Sequence, residues 1–210
     1  MNDKKGFGGF FTPKNIATLG VLVALVLILQ MWLGTIVIGG TSFSLVLIPI
    51  VLGSLLLGPW AGALLGFIFS LIVYIYGAVG IDPFTHLMIE TNWYVTFFIC
   101  FSKGVLAGLV PGLIYKALKD KNQPLGVILA SLSAPVINTG IFVVGMLVFN
   151  GVFADAFVAN SYFEDASKYI YFILIGVAGV NFLVEFFINA ILIPVVHTVV
   201  RVIEGKLSKG

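Results

Sequence analysis

Residues 125–149 read LGVILASLSAPVINTGIFVVGMLVF, and none of them is Asp, Glu, Lys or Arg. At 1.5 Å per residue a helix over this run is about 37 Å long, enough to cross the ~30 Å hydrocarbon core of a bilayer. Toward the N-terminus the same apolar pattern recurs over 93–115, broken by one charge, Lys103, and closed by Lys116, Lys119 and Lys121. It recurs again over 60–76, over 43–57 and over 16–33. Gly58-Pro59 separates two of these runs by a turn too tight to hold a domain. Toward the C-terminus an acidic, aromatic segment, 150–167, leads into a last apolar run over 169–200. The expected fold is therefore all-α: one integral membrane domain, 1–210, built as a bundle of six transmembrane helices.

Composition agrees. Hydrophobic residues make up 60% of the chain and charged ones 10%, and the mean hydropathy is +1.15, which excludes a water-soluble domain. A net charge of +2 is too small to point to nucleic acid, and a single cysteine, Cys100, allows no disulfide within the chain. The basic start runs straight into the first span with no clear small-residue cleavage site, so that span is expected to be retained. With an N-terminus in the cytoplasm, six spans place nine of the eleven Lys and Arg residues on the cytoplasmic side. These include Lys4, Lys5, Lys14, Arg201, Lys206 and Lys209. Asp82, Glu90, Asp155, Glu164 and Asp165 fall outside. By the positive-inside rule both termini are expected in the cytoplasm.

Small residues recur at helical spacing. Gly58, Gly62, Gly66 and Ser70 share one face of the third span, and Gly104, Gly108 and Gly112 one face of the fourth. In lipid such faces let backbones approach closely, so these two are expected to pack inside the bundle. Ala17, Gly20 and Ala24 form a comparable surface on the first span, which either packs internally or meets another membrane subunit.

Polar groups deep in apolar runs are costly and usually face protein or a water-filled cavity. Lys103 lies about 15 Å down the fourth span and Asn138 about 21 Å down the fifth. Asn181, Glu185 and Asn189 make one stripe at i, i+4, i+8 on the sixth. Lys103 and Glu185 carry opposite charges and are expected to pair, directly or through a ligand, with Glu185 and the asparagines holding hydroxyl or amide groups of a solute. Trp32, Tyr74, Tyr76, Trp93, Tyr94, Tyr169 and Tyr171 lie near span ends, where aromatics either anchor the interface or cover a ligand. His86 and His197 lack partners at metal-ligand spacing, and no metal or other cofactor is expected. Zinc-helix, paired-glutamate and phosphate-loop motifs are absent from the sequence. The chain is therefore expected not to be an enzyme, and any ATP-driven motor would belong to a partner.

Several stretches together resemble the substrate-binding S components of energy-coupling factor (ECF) vitamin transporters. They are the run SFSLVLIPIVLGSLLLGPWAGALLGFIFS at 42–70, Asp82-Pro83-Phe84, Lys103-Gly104-x-x-x-Gly108-x-x-x-Gly112-x-x-Tyr115-Lys116, and Asn181-x-x-x-Glu185. The resemblance implies a membrane subunit that captures a vitamin from outside. Such a subunit associates with a transmembrane scaffold subunit and two ATP-binding subunits. It also implies that Ala17, Gly20 and Ala24 meet the scaffold, Gly20 departing from the usual alanine. The pocket it implies lies in the outer halves of helices four to six and maps onto Asn92, Trp93, Lys103, Asn138, Asn181 and Glu185. The segments 49–70 and 103–116 look most like pantothenate-type members, and a mid-membrane lysine suits a carboxylate. Riboflavin, folate, and thiamine or pyridoxine precursors are the alternative vitamins; Thr41-Ser42-Phe43 lacks the acidic residue usual in the riboflavin type. A stand-alone carrier or channel is the alternative of another class.

Overall fold

The structure, a computed structural model, describes residues 12–33, 37–38, 41–42 and 45–207. Lys4, Lys5 and Lys209, used above to set the orientation, and Phe43, the expected start of the second span, lie outside these. The helices are α1 (Pro13–Leu33), α2 (Leu47–Leu57), α3 (Pro59–Ala78), α4 (Pro83–Leu118), α5 (Gln123–Val148) and α6 (Asn150–Ala159). A last rod begins as α7 (Tyr169–Tyr171), passes through a π-helical stretch (Phe172–Gly179) and continues as α8 (Val180–Leu207). Between α1 and α2, Val37–Ile38 and Thr41–Ser42 form a two-residue antiparallel ladder.

Five of these rods are long and apolar enough to cross a membrane: α1, α3, α4, α5 and the last one, Tyr169–Ile203. The chain is a multi-pass, all-helical membrane protein. The expected second span differs. Its helix starts only at Leu47 and has 11 residues, about 16 Å, half a bilayer core. What it lacks in length it makes up in burial, with Leu47, Pro49, Ile50, Val51, Gly53, Ser54 and Leu55 all enclosed by its neighbours. Gly58 ends it at φ +100°, a left-handed conformation that glycine tolerates, and Pro59 opens α3 with a preset φ.

The two glycine faces meet. A Cβ on Gly62 would land on the carbonyl oxygen of Gly108, and one on Gly66 on that of Gly104. This backbone approach is what small residues provide in lipid. Hydroxyls stitch the seam: Ser54 Oγ of α2 donates to Gly108 O at 2.7 Å, and Ser70 Oγ of α3 to Cys100 O at 2.8 Å.

α4 is two helices joined at Asn92, whose backbone is extended (φ −159°, ψ 97°). The second of them begins at Trp93, where the fourth span is expected to start, and Asn92 Oδ1 caps it by accepting from Val95 N at 3.1 Å. The polar stretch before it is also helical. Asp82 caps that segment, accepting from Phe84 N at 3.1 Å, Thr85 N at 3.4 Å and Thr85 Oγ1 at 2.7 Å, and Pro83 follows at the first helical position. The segment after α5 is helical as well. Phe153 and Phe157 of α6 are fully buried against Phe84, Met146, Tyr169 and Ile173, a second core beside the one shared by α1, α2, α3, α4, α5 and α8.

Candidate functional site

A cavity of about 640 Å³ of atom-free space, counting its mouth, is lined by α1, α3, α4, α5 and the last rod. Because Ser70 and Cys100 are hydrogen-bonded across the α3–α4 seam, Lys103 lies within a turn of Phe69 in depth. From there the cavity extends past Val73 toward the α3–α4 corner, where Asp82, Phe84 and Thr85 line it. Phe69 precedes the end of α3 by nine residues, so the polar wall is about 13 Å long.

Lys103, Asn138, Asn181 and Glu185, expected from separate spans, all line this one cavity. Glu185 is 2% exposed and Asn138 3%. Asn138 Nδ2 donates to Glu185 Oε2 at 3.1 Å, joining α5 to α8. Glu185 and Asn181 project from α8 just after the π-helical stretch, which contributes Val177 and Ala178 to the same wall. A π-turn widens the helix locally and re-aims the side chains that follow, which is why such turns concentrate at functional sites.

Lys103 does not pair directly with Glu185. Among the described residues no carboxylate lies within the 4.0 Å of an ion pair from its ammonium. Instead Nζ sits over the Phe142 ring, 5.3 Å from the centroid, a cation–π contact with a face of the cavity. The cavity therefore holds a cation with a weak protein partner beside a carboxylate already engaged by an amide. That arrangement suits a small molecule with an anionic group and several hydrogen-bonding groups.

Other expected residues lie elsewhere. Asn92 is the cap at the α4 break, and Trp93 is 52% exposed, stacked on Tyr94 with ring centroids 3.5 Å apart. Neither lines the cavity. Asn189 turns back to its own helix, donating to Glu185 O at 2.8 Å. Tyr169 is buried, its hydroxyl donating to Met146 O at 3.0 Å. His86 bonds Gly77 O at 2.8 Å through Nδ1 and faces Glu90 at the surface.

The structure adds Gln30, Thr85 and Thr139 to the lining. Gln30 is 3% exposed on α1. It is the one amide in the apolar run 16–33, and the burial cost of a polar group is the signal that could have found it. The opposite side of α1 is open: Ala17, Gly20 and Ala24 are exposed, and a Cβ on Gly20 would meet nothing within 4 Å.

Comparison with known proteins places these features in context. The family described as "ECF transporter, substrate-specific component" matches residues 14–197. The pantothenic acid transporter PanT of Lactococcus lactis subsp. cremoris (strain MG1363) is 27% identical over 152 residues, which cover 66% of this chain and 74% of that protein.

Proposed function

From the chain's membership of the ECF transporter substrate-specific components, we propose that it captures pantothenate outside the cell and hands it to an ATP-driven importer. The observation that carries this reading is the meeting of Lys103, Asn138, Asn181 and Glu185 in one cavity. Lys103 takes the carboxylate, and the side chains gathered around Glu185 take the hydroxyl and amide groups. The similarity to a pantothenic acid transporter supports the choice of vitamin. The pocket lies in the outer half of the last three spans. With no phosphate loop in the sequence, ATP hydrolysis falls to two partner subunits, joined through a transmembrane scaffold that docks on Ala17, Gly20 and Ala24. The exposure of that face supports this role.

The test is growth of a pantothenate auxotroph that carries this chain together with a scaffold and its ATPases. Rescue by low external pantothenate is expected, and Gly20→Leu abolishes it while leaving the protein folded. Rescue of a different vitamin auxotroph instead would reassign the substrate; uptake without the ATPases would favour a stand-alone carrier.

Orientation follows if the short α2, together with the chain before it, acts as a crossing. Six crossings then put Lys14, Lys116, Lys119, Lys121 and Arg201 in the cytoplasm with both termini. A reporter active only in the cytoplasm, fused after Gly210, is expected to be active; an inactive one on a stable fusion means that α2 does not cross.

A further inference from the structure

We propose that Glu185 sets the specificity of the cavity indirectly, by engaging the amide nitrogen of Asn138 and so leaving the Asn138 carbonyl oxygen, beside the side-chain oxygens of Asn181 and Thr139, to accept hydrogen bonds, so that this wall selects ligands by their O–H and N–H donors. The inference rests on the reading of the cavity as a pantothenate site and adds what that site demands of its ligand.

An amide side chain has a donor end and an acceptor end, and its neighbours decide which points where. A carboxylate only accepts. Asn138 presents Nδ2 to Glu185 at 3.1 Å; with the carboxyl ionised, the opposite orientation would press two oxygens together in an interior 3% exposed or less. Its Oδ1 is left over, buried, with no donor from the protein. Asn181 stands one turn before Glu185 on the same helix and lines the same cavity. Its Oδ1 is likewise buried without a donor. Thr139, next to Asn138, leaves a third buried oxygen unpartnered. All three residues line the cavity.

Buried polar atoms are normally satisfied, and each exception calls for a reason. Three at one wall, beside a cation that stands over an aromatic ring, describe the complement of a molecule. An anionic group meets Lys103, and donors on its other part meet Asn138, Asn181 and Thr139. Pantothenate carries a carboxylate, two hydroxyls and one amide N–H, a donor for each of the three oxygens. A ligand lacking one donor leaves a buried acceptor dry, which weakens binding by about 10- to 100-fold. Glu185 is here a positioning residue, acting through Asn138.

The experiment titrates the purified, detergent-solubilised chain with pantothenate and with its two monodeoxy analogues, each lacking one hydroxyl. For the wild type each analogue is expected to bind about 10- to 100-fold more weakly than pantothenate. In Glu185→Gln the new side chain can donate as well as accept. Asn138 is then free to turn, and the preference for pantothenate over the analogues narrows. Thr139→Val, which leaves Glu185 and both asparagines in place, narrows the preference for at least one analogue and serves if Glu185→Gln does not fold. Loss of affinity by the same factor for all three ligands in these variants means a merely structural role and overturns the proposal. Wild type that binds either analogue as tightly as pantothenate overturns it too, while leaving the pantothenate site standing. Folded wild type that does not bind pantothenate overturns both.

Discussion

Lys103→Met is expected to weaken pantothenate binding by about 100- to 1000-fold with little or no loss of thermal stability. Removing one member of a buried charge pair typically costs about 3–5 kcal/mol, because the partner charge is left desolvated and unmatched. On binding, that cost falls on the ligand's carboxylate. The free protein has far less to lose. No carboxylate stands within 4.0 Å of the ammonium among the described residues, and its one ring contact, at 5.3 Å from the Phe142 centroid, is worth about 0.5–2 kcal/mol. Against this stands the relief of removing a charge from the middle of a membrane span. Calorimetry for affinity and a thermal melt in detergent for stability separate the two roles. Unchanged affinity with a lowered melting temperature would make Lys103 a structural residue and leave the cavity without its anion partner.

Gly108→Leu is expected to destabilise the fold severely. A side chain there meets the carbonyl of Gly62 and the backbone of Ala63, not a flexible side-chain tip, so nothing yields without moving α3. The shift also strains the bond from Ser54 Oγ to Gly108 O. Overpacking of this kind costs about 1–3 kcal/mol even where side chains can adjust, and backbone contact on a rigid seam costs more. In a chain of this size each kcal/mol lowers the melting temperature by about 2–4 °C. A drop of about 10 °C or outright aggregation on solubilisation is the expected result. The same substitution at Gly20, with open space around it, is the control that melts like the wild type. A Gly108→Leu protein with a wild-type melt would mean that α3 and α4 do not meet through these glycines.

Both substitutions fall on residues that the sequence singles out. Lys103, Asn138, Asn181 and Glu185 are legible because polar groups are rare and expensive inside apolar runs, so each stands out without any knowledge of the fold. The glycines of α3 and α4 are legible for a similar reason, since repetition every four residues in lipid has few purposes besides close approach. Where the background is polar the contrast is lost. Asp82 and Thr85 sit in a stretch whose polarity reads as a loop, although Asp82-Pro83 carries the signature of a helix start. The helix Asn150–Ala159 is hidden in the same way by the acidic, aromatic segment around it.

Gln30 is legible as the lone amide of the run 16–33, whereas the small residues of the same span lie on the side of α1 that faces away from the cavity. The family resemblance implies Asn92 and Trp93 as pocket residues, and neither lines the cavity. The backbone break between them explains their places, since Asn92 spends its side chain on capping the span that Trp93 begins. The length of α2 was not legible at all. Hydropathy scores 43–57 as continuous, and nothing in it marks Leu47 as the first residue of the helix.

A calorimetric titration of the purified chain, alone in detergent and without scaffold or ATPases, bears most directly on whether this cavity is a receptor. Saturable one-to-one binding of pantothenate that disappears in Lys103→Met is the predicted outcome. Folded protein that gives no saturable heat with pantothenate, or that binds it equally well after Lys103→Met, contradicts it.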